Sequence, residues 1–197
     1  MADRGFIVGN GSHYPRRLNG EKMNFRNSGY ALTYVGLAGV VFVAILSLEF
    51  APGLKPCTGG GCWGAPEAYR ILYLHVPFAW CSFLSFSILF YGSLMWYLKR
   101  SEDAWVYFQS GSDLGVIFGL GVITSGPIWA SAEWGRPWDW GDMRLNSFAL
   151  LTAIALFLIY SRQSQPDTQQ NRDTLSAVGL FGFALVPITA GATTWWE

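Results

Sequence analysis

Residues 114–161 read LGVIFGLGVITSGPIWASAEWGRPWDWGDMRLNSFALLTAIALFLIYS, and this stretch decides the fold class of the 197-residue chain. Two apolar runs, Leu114–Ala132 and Leu145–Ser161, are joined through residues 129–144, which hold four of the chain's ten tryptophans. A run of about twenty apolar residues is long enough for a helix to cross a bilayer. Tryptophan has a large apolar face and one N–H donor, which suits the boundary between membrane and water. The stretch therefore predicts two membrane helices joined by an aromatic segment at the membrane surface.

Three further runs of similar length lack Asp, Glu, Lys and Arg, namely Tyr30–Leu48, Ile71–Leu98 and Thr174–Thr194. Charged residues make up only 13% of the chain, whereas an average protein has about a quarter. A buried helix of a soluble protein could explain one such run, but five in a small chain favour an all-α, polytopic membrane bundle of five transmembrane helices. We expect residues 1–29 to form a polar N-terminal tail and residues 30–197 to form the bundle, which carries the tryptophan-rich segment at about residues 129–147.

The placement of Lys and Arg predicts the orientation, because cytoplasmic loops are enriched in these residues. Nine of them lie in the N-terminal tail or after the second and fourth apolar runs, and four lie on the other side. The N-terminus is therefore expected in the cytoplasm of a cell inner membrane, with the C-terminus and the tryptophan segment on the outer, periplasmic face. The link 99–113 is rich in aromatic residues (Trp105, Tyr107 and Phe108) and is expected to lie on the membrane surface.

Several function classes have no signal in the sequence. The formal net charge is zero, and there is no basic patch of the kind that binds nucleic acid. No phosphate-binding Walker loop, Gly-x-Ser-x-Gly turn or zinc spacing occurs. The sequence therefore predicts a protein that is not an enzyme.

Cys57 and Cys62 form the pattern CTGGGC in the predicted outer loop. A pair of cysteines on an oxidising face favours a disulfide. A metal or redox pair is the weaker alternative, because no other metal ligand lies nearby in the sequence. Cys81, within the second apolar run, is interpreted as a small packing residue.

His75 is the only histidine in an apolar run, since His13 lies in the tail. An ionisable side chain within a membrane is costly and usually functional. A neutral imidazole nitrogen is also a good ligand for haem iron. The alternative is a histidine that hydrogen-bonds to a neighbouring helix. The predicted depth of His75, level with the tryptophan segment, favours a ligand role.

The tryptophan segment predicts a flat aromatic platform, because Gly135, Pro137 and Gly141 keep it out of a helix. Haem, which is flat and partly charged, would suit such a surface. Arg136 or Arg144 could hold a haem propionate through two parallel hydrogen bonds. The alternative is that these arginines pair with nearby acidic residues or lipid headgroups. The tryptophans expected at the platform are Trp129, Trp134, Trp138 and Trp140, extended by Trp195 and Trp196 from the fifth helix.

Three motifs resemble those of a known family. Tyr69–Pro77, which reads YRILYLHVP, resembles the histidine-bearing helix of the haem exporter protein C family (CcmC) of cytochrome c maturation system I. The run WGRPWDW that begins at Trp134, followed by DMRLNS from Asp142, is similar to the tryptophan-rich WWD domain of that superfamily. A Pro-Ile pair at Pro187 and the terminal Trp-Trp pair give a third match. The resemblance extends from about Arg26 to the last residue.

The resemblance implies that His75 is the first axial ligand of the haem iron. It also implies that Trp134, Trp138, Trp140 and Asp142 hold a non-covalent, transient haem b on the outer face. The implied partners are a periplasmic haem chaperone (CcmE-like) that receives the haem, a small membrane subunit (CcmD-like) and ATP-binding-cassette subunits (CcmA/CcmB-like).

The chain departs from the family pattern in two ways. Gly141 is inserted between Trp140 and Asp142, and the family's second axial histidine and sixth helix do not occur within residues 1–197. Three alternatives follow: the gene product is truncated, a partner supplies the second ligand, or haem is bound through one histidine only. Two other functions remain open: a structural or permease-like membrane subunit that does not bind haem by itself, and an electron-transfer subunit with haem, which a single intramembrane histidine disfavours.

Overall fold

The computed structural model describes residues 17–52, 64–187 and 191. Within these residues the chain is helical and contains no β-strand. A π-helical turn, Leu46–Phe50, follows the first helix, and a 3-10 turn, Pro66–Ile71, leads into the second. The α-helices are α1 (Arg17–Ile45), α2 (Leu72–Lys99), α3 (Glu102–Trp134), α4 (Met143–Ser164) and α5 (Gln169–Phe183).

Among the described residues, four helical segments are long and apolar enough to cross a membrane, which confirms the prediction of a helical membrane protein. They are Ala31–Phe50, Pro66–Lys99, Glu102–Trp134 and Met143–Ser164. The fifth predicted run, Thr174–Thr194, is described only in part: α5 ends at Phe183, and residues 188–190 and 192–197 lie outside the described residues. Five spans and the orientation of the termini stay predictions. Cys57 and Cys62 also lie outside the described residues, so their disulfide stays a prediction too.

The chain divides into two compact units, residues 1–43 and 44–197. The first unit contains most of α1, which begins at Arg17 and so starts within the predicted tail. Its side chains from Ala31 to Val43 are exposed. An apolar helix with exposed side chains suits a surrounding of lipid rather than water.

In the second unit, α2 and α3 run antiparallel and their backbones touch along a row of glycines, which we call the glycine seam. A Cβ atom added to Gly111 would lie 2.3 Å from the backbone nitrogen of Leu89, and one added to Gly92 would lie 2.3 Å from that of Phe108. Such close approach requires residues without side chains, a common device between membrane helices. The contacts keep one register along the pair: Gly92–Phe108, Leu89–Gly111, Phe86–Gly115, Phe78–Gly121 and His75–Gly126.

A cluster of charged and aromatic side chains ties α2, α3 and α5 together at the C-terminal end of α2. The guanidinium of Arg172 lies 5.2 Å from the ring centre of Trp96 and 5.0 Å from that of Trp105. It also donates to Glu102 at 2.8 Å. Asp173 accepts a hydrogen bond from Trp96 Nε1 at 2.8 Å. We call Trp96, Trp105, Arg172 and Asp173 the arginine–tryptophan cluster.

The prediction of a link over residues 99–113 is wrong, and the position of this segment at the membrane surface stays a prediction. The link consists of Arg100 and Ser101, and α3 begins at Glu102. The Ser101 hydroxyl accepts from the N–H of Ala104 at 3.3 Å, and a serine at this position stabilises the start of a helix. Trp105 and Phe108 are 4% and 0% exposed, because they pack between helices.

Replacing Gly111 by alanine should disrupt the glycine seam, because the new methyl group would overlap the backbone of Leu89. We expect a loss of about 1–3 kcal/mol of stability, typical of overpacking, measured as a lower thermal midpoint of the protein in detergent. Gly36→Ala is the matched control, because a Cβ there meets nothing within 4 Å. Equal midpoints for the two variants would show that the seam does not limit stability.

Candidate functional site

A cavity of about 470 Å³ lies where the N-terminal ends of α2 and α4 meet the C-terminal end of α3. Its walls are mainly apolar, with Phe83 and Phe148 among them, and its polar side chains are His75, Asp142 and Arg144. A concave, largely apolar space of this size with a few polar groups is typical of small-molecule sites. We call this end of the second unit the cavity end.

His75 is placed by the first turn of α2 and packs against α3. Its Nδ1 lies 2.9 Å from Oγ of Ser125, and that hydroxyl donates to the backbone carbonyl of Gly121 at 2.6 Å. A Cβ added to Gly126 would lie 3.0 Å from Cε1 of the imidazole. Ser125 was not among the predicted site residues, although a hydroxyl inside an apolar run is itself a signal for polar contact between membrane helices.

Five of the ten predicted site residues line this one cavity, three more are described and do not line it, and two lie outside the described residues. Trp195 and Trp196 lie outside the described residues. Arg136, Trp138 and Trp140 are described but do not line the cavity. Those that line it are His75, Trp129, Trp134, Asp142 and Arg144.

The tryptophan segment is not the flat platform that the sequence predicted. Trp129 and Trp134 belong to α3 and meet edge to face, with ring centres 4.8 Å apart and planes at 72°. Trp138 and Trp140 follow in the non-helical part and also meet at a steep angle, 61°. The helix ends at Gly135, whose φ of +73° favours glycine. The turn therefore separates two aromatic pairs, of which only the first lines the cavity.

Asp142 and Arg144 form a two-point ion pair at the start of α4. The carboxylate of Asp142 accepts from Nε of Arg144 at 3.0 Å and from its terminal NH2 nitrogen at 2.7 Å. It also accepts from the backbone N–H of Arg144 at 2.9 Å. These hydrogen bonds hold the pKa of Asp142 below its usual range, with the Arg144 side chain as the main cause. An arginine has five N–H donors, so Arg144 keeps donors for a second anion.

The other charged residues of the segment form internal contacts. Arg136 pairs with Asp139 at 3.0 Å and is largely exposed. Glu133 accepts hydrogen bonds from the backbone N–H groups of Gly64 and Ala65, at 2.8 and 2.9 Å. Through these hydrogen bonds, Glu133 holds the residues just before the 3-10 turn against the end of α3.

Replacing Asp142 by alanine should remove both the ion pair and the helix cap, whereas asparagine should keep the cap. We expect Asp142→Ala to lose about 1 kcal/mol of stability and Asp142→Asn to lose less, measured by thermal unfolding in detergent. Because the pKa of Asp142 is lowered in the folded protein, the ion pair stabilises above the usual pKa of about 3.9. Its contribution disappears as the pH falls through the lower, folded-state pKa.

As the pH falls, the stability of the wild type should therefore approach that of Asp142→Asn. A stability difference between the two that stays constant through this range would show that the ion pair does not contribute to stability.

Comparison with known proteins gives one consistent result. A family model described as "Heme exporter protein C" matches residues 25–197. The chain is 29% identical over 141 residues to a cytochrome c biosynthesis ccmC-like mitochondrial protein of Marchantia polymorpha, which covers 68% of this chain and 59% of the relative. It is 27% identical over 139 residues to Heme exporter protein C of Bradyrhizobium diazoefficiens, covering 68% and 52%.

A third relative, Heme exporter protein C of Paracoccus denitrificans, is 26% identical over 154 residues, covering 74% of this chain and 64% of the relative. The matched regions thus span between 52% and 64% of the length of these curated relatives.

Proposed function

The chain belongs to the haem exporter protein C family, and from this premise we propose that it binds haem in the cavity between α2, α3 and α4 and presents it for transfer. A role in haem handling for cytochrome c biogenesis follows from the family. The observation that carries the proposal is the meeting of His75, two tryptophans and the Asp142–Arg144 pair around one cavity.

The cavity fits haem in three respects. Its apolar walls suit the macrocycle, and its volume of about 470 Å³ is that of a small-molecule site. His75 supplies a neutral imidazole, a common ligand of haem iron. Arg144 keeps unused N–H donors at one end of the cavity, and arginine pairs well with carboxylates such as the propionates.

One side of the cavity is open, which suits a protein that presents haem to an acceptor better than one that stores haem permanently. Trp134 lines the cavity and is 51% exposed, so haem there would be only partly covered. Among the described residues His75 is the only histidine, so this part of the chain offers a single imidazole. One imidazole and an incomplete cover allow haem to be released to an acceptor.

The acceptor in this proposal is a periplasmic haem chaperone, as in the family, and the cavity end faces the periplasm from the inner membrane. A small membrane subunit and ATP-binding-cassette subunits are the proposed partners. Trp138, Trp140 and Arg136 would then form a rim beside the cavity, whereas Trp195 and Trp196 lie outside the described residues. Haem is the cargo of this process, and the chain performs no bond-making step on it.

A second candidate function is a structural or permease-like membrane subunit that does not bind haem by itself. The ion pairs of Arg136 and Arg144 favour it, because both cations already have a carboxylate partner within the chain. The edge-to-face tryptophans are also compatible with anchoring at a membrane surface.

His75→Ala should abolish or strongly weaken haem binding, because the variant lacks the imidazole that ligates iron. Removing a residue that only orients a metal ligand typically lowers metal affinity about 10–100-fold. Removing the ligand itself should lower the haem affinity by at least as much. The measurement is a haem titration of the purified protein in detergent, followed at the Soret band. His13→Ala is the matched control, because it removes the only other histidine.

A wild-type titration with the same Soret band as haem in detergent alone would support the second candidate instead. Equal haem affinity in the wild type and His75→Ala would place the iron ligand elsewhere.

A further inference from the structure

We propose that Ser125 is a positioning residue that fixes the tautomer of His75, so that the free electron pair of the imidazole is on Nε2. This inference rests on the proposed function for its biological meaning, since Nε2 would be the atom offered to iron. Ser125 is on α3 and His75 on α2, so the two residues also couple the site to the register of the helix pair.

The hydrogen bonds of the Ser125 hydroxyl determine which atom carries the proton. A serine hydroxyl has one hydrogen to donate and two lone pairs. That hydrogen is directed to the carbonyl of Gly121, at 2.6 Å, and a carbonyl can only accept. At 2.9 Å from the same oxygen, Nδ1 of His75 must therefore be the donor. A neutral imidazole protonated at Nδ1 has its acceptor lone pair on Nε2.

The opposite tautomer is disfavoured by its surroundings. It would put the proton on Nε2, which has no hydrogen-bond acceptor among the described residues. His75 lines a cavity with mainly apolar walls. In the Nδ1-protonated form, by contrast, the only N–H of the ring is already bonded to Ser125.

The orientation of the ring is restricted by the residue that follows Ser125. At Gly126, a Cβ would already lie 3.0 Å from Cε1 of His75, so α3 offers bare backbone to the edge of the ring. Ser125 thus holds Nδ1 while Gly126 gives the ring room to lie against the helix. Partners that orient a metal-binding histidine in this way typically also raise its basicity as a ligand.

The tautomer can be tested without haem, because the chain has only two histidines. We would label histidine with nitrogen-15 in a His13→Gln background and record the nitrogen resonances of His75 in bilayers near neutral pH. The wild type should show the Nδ1-protonated form. Ser125→Ala should show a substantial population of the Nε2-protonated form.

Thr124→Ala is the matched control. Its hydroxyl also donates to the α3 backbone, to the carbonyl of Leu120 at 2.7 Å, but it is exposed and does not contact His75. This variant should keep the wild-type resonances. An Nε2-protonated wild type, or a Ser125→Ala variant with the wild-type pattern, would overturn the proposal.

Haem titration then tests the link to function. Ser125→Ala should bind haem about 10–100-fold more weakly than the wild type, with a shifted Soret band, and Thr124→Ala should not. If the wild type binds no haem, the proposed function fails, while the nitrogen resonances still decide the tautomer. If Ser125→Ala changes the tautomer but keeps wild-type haem affinity and spectrum, the positioning role is overturned.

Discussion

The contact between the backbones of α2 and α3 is the constraint on which the site depends. Lipid tails give membrane helices no hydrophobic reason to associate, so close packing must supply the stabilisation. The glycine seam allows that packing and fixes the register, because side chains of one helix fit only where the other has none. A slip by one helical turn, about 5.4 Å, would take His75 away from Ser125. The geometry of the cavity end is therefore set by the whole seam, from Gly126 beside His75 to Gly92 near the other end of α2.

The spans could be predicted from sequence because hydrocarbon thickness imposes a minimum length of apolar sequence on every membrane-crossing helix. The run Leu145–Ser161 corresponds to α4, Met143–Ser164, within a few residues. The start of α3 was predicted wrongly because aromatic residues suit both a membrane surface and a helix interface. Local signals were present: Ser101 is a good helix cap, and glycines at 111, 115 and 119 have the spacing of close helix contacts.

The site was only partly readable from the sequence. His75 was identifiable because an ionisable residue inside an apolar run is rare. Its contact with Ser125 was not, because the two residues are fifty positions apart and meet only through the helix register. Nor could the sequence decide how the arginines pair or how the indole rings are tilted. The arginine pairing and the ring tilts depend on the turn after Gly135 and on the helix cap at Asp142. At both places a change in a few backbone angles changes the direction of the side chains that follow.

The arginine–tryptophan cluster gives the second unit an uneven stiffness along its length. At that end, α2, α3 and α5 are joined by stacked rings and ion pairs around Arg172. At the cavity end, the Asp142–Arg144 pair and the Trp129–Trp134 contact surround an open space instead of a packed interior. Local opening begins where buried contacts are few. The helices are therefore expected to separate first at the cavity end, while the arginine–tryptophan cluster keeps their other end together.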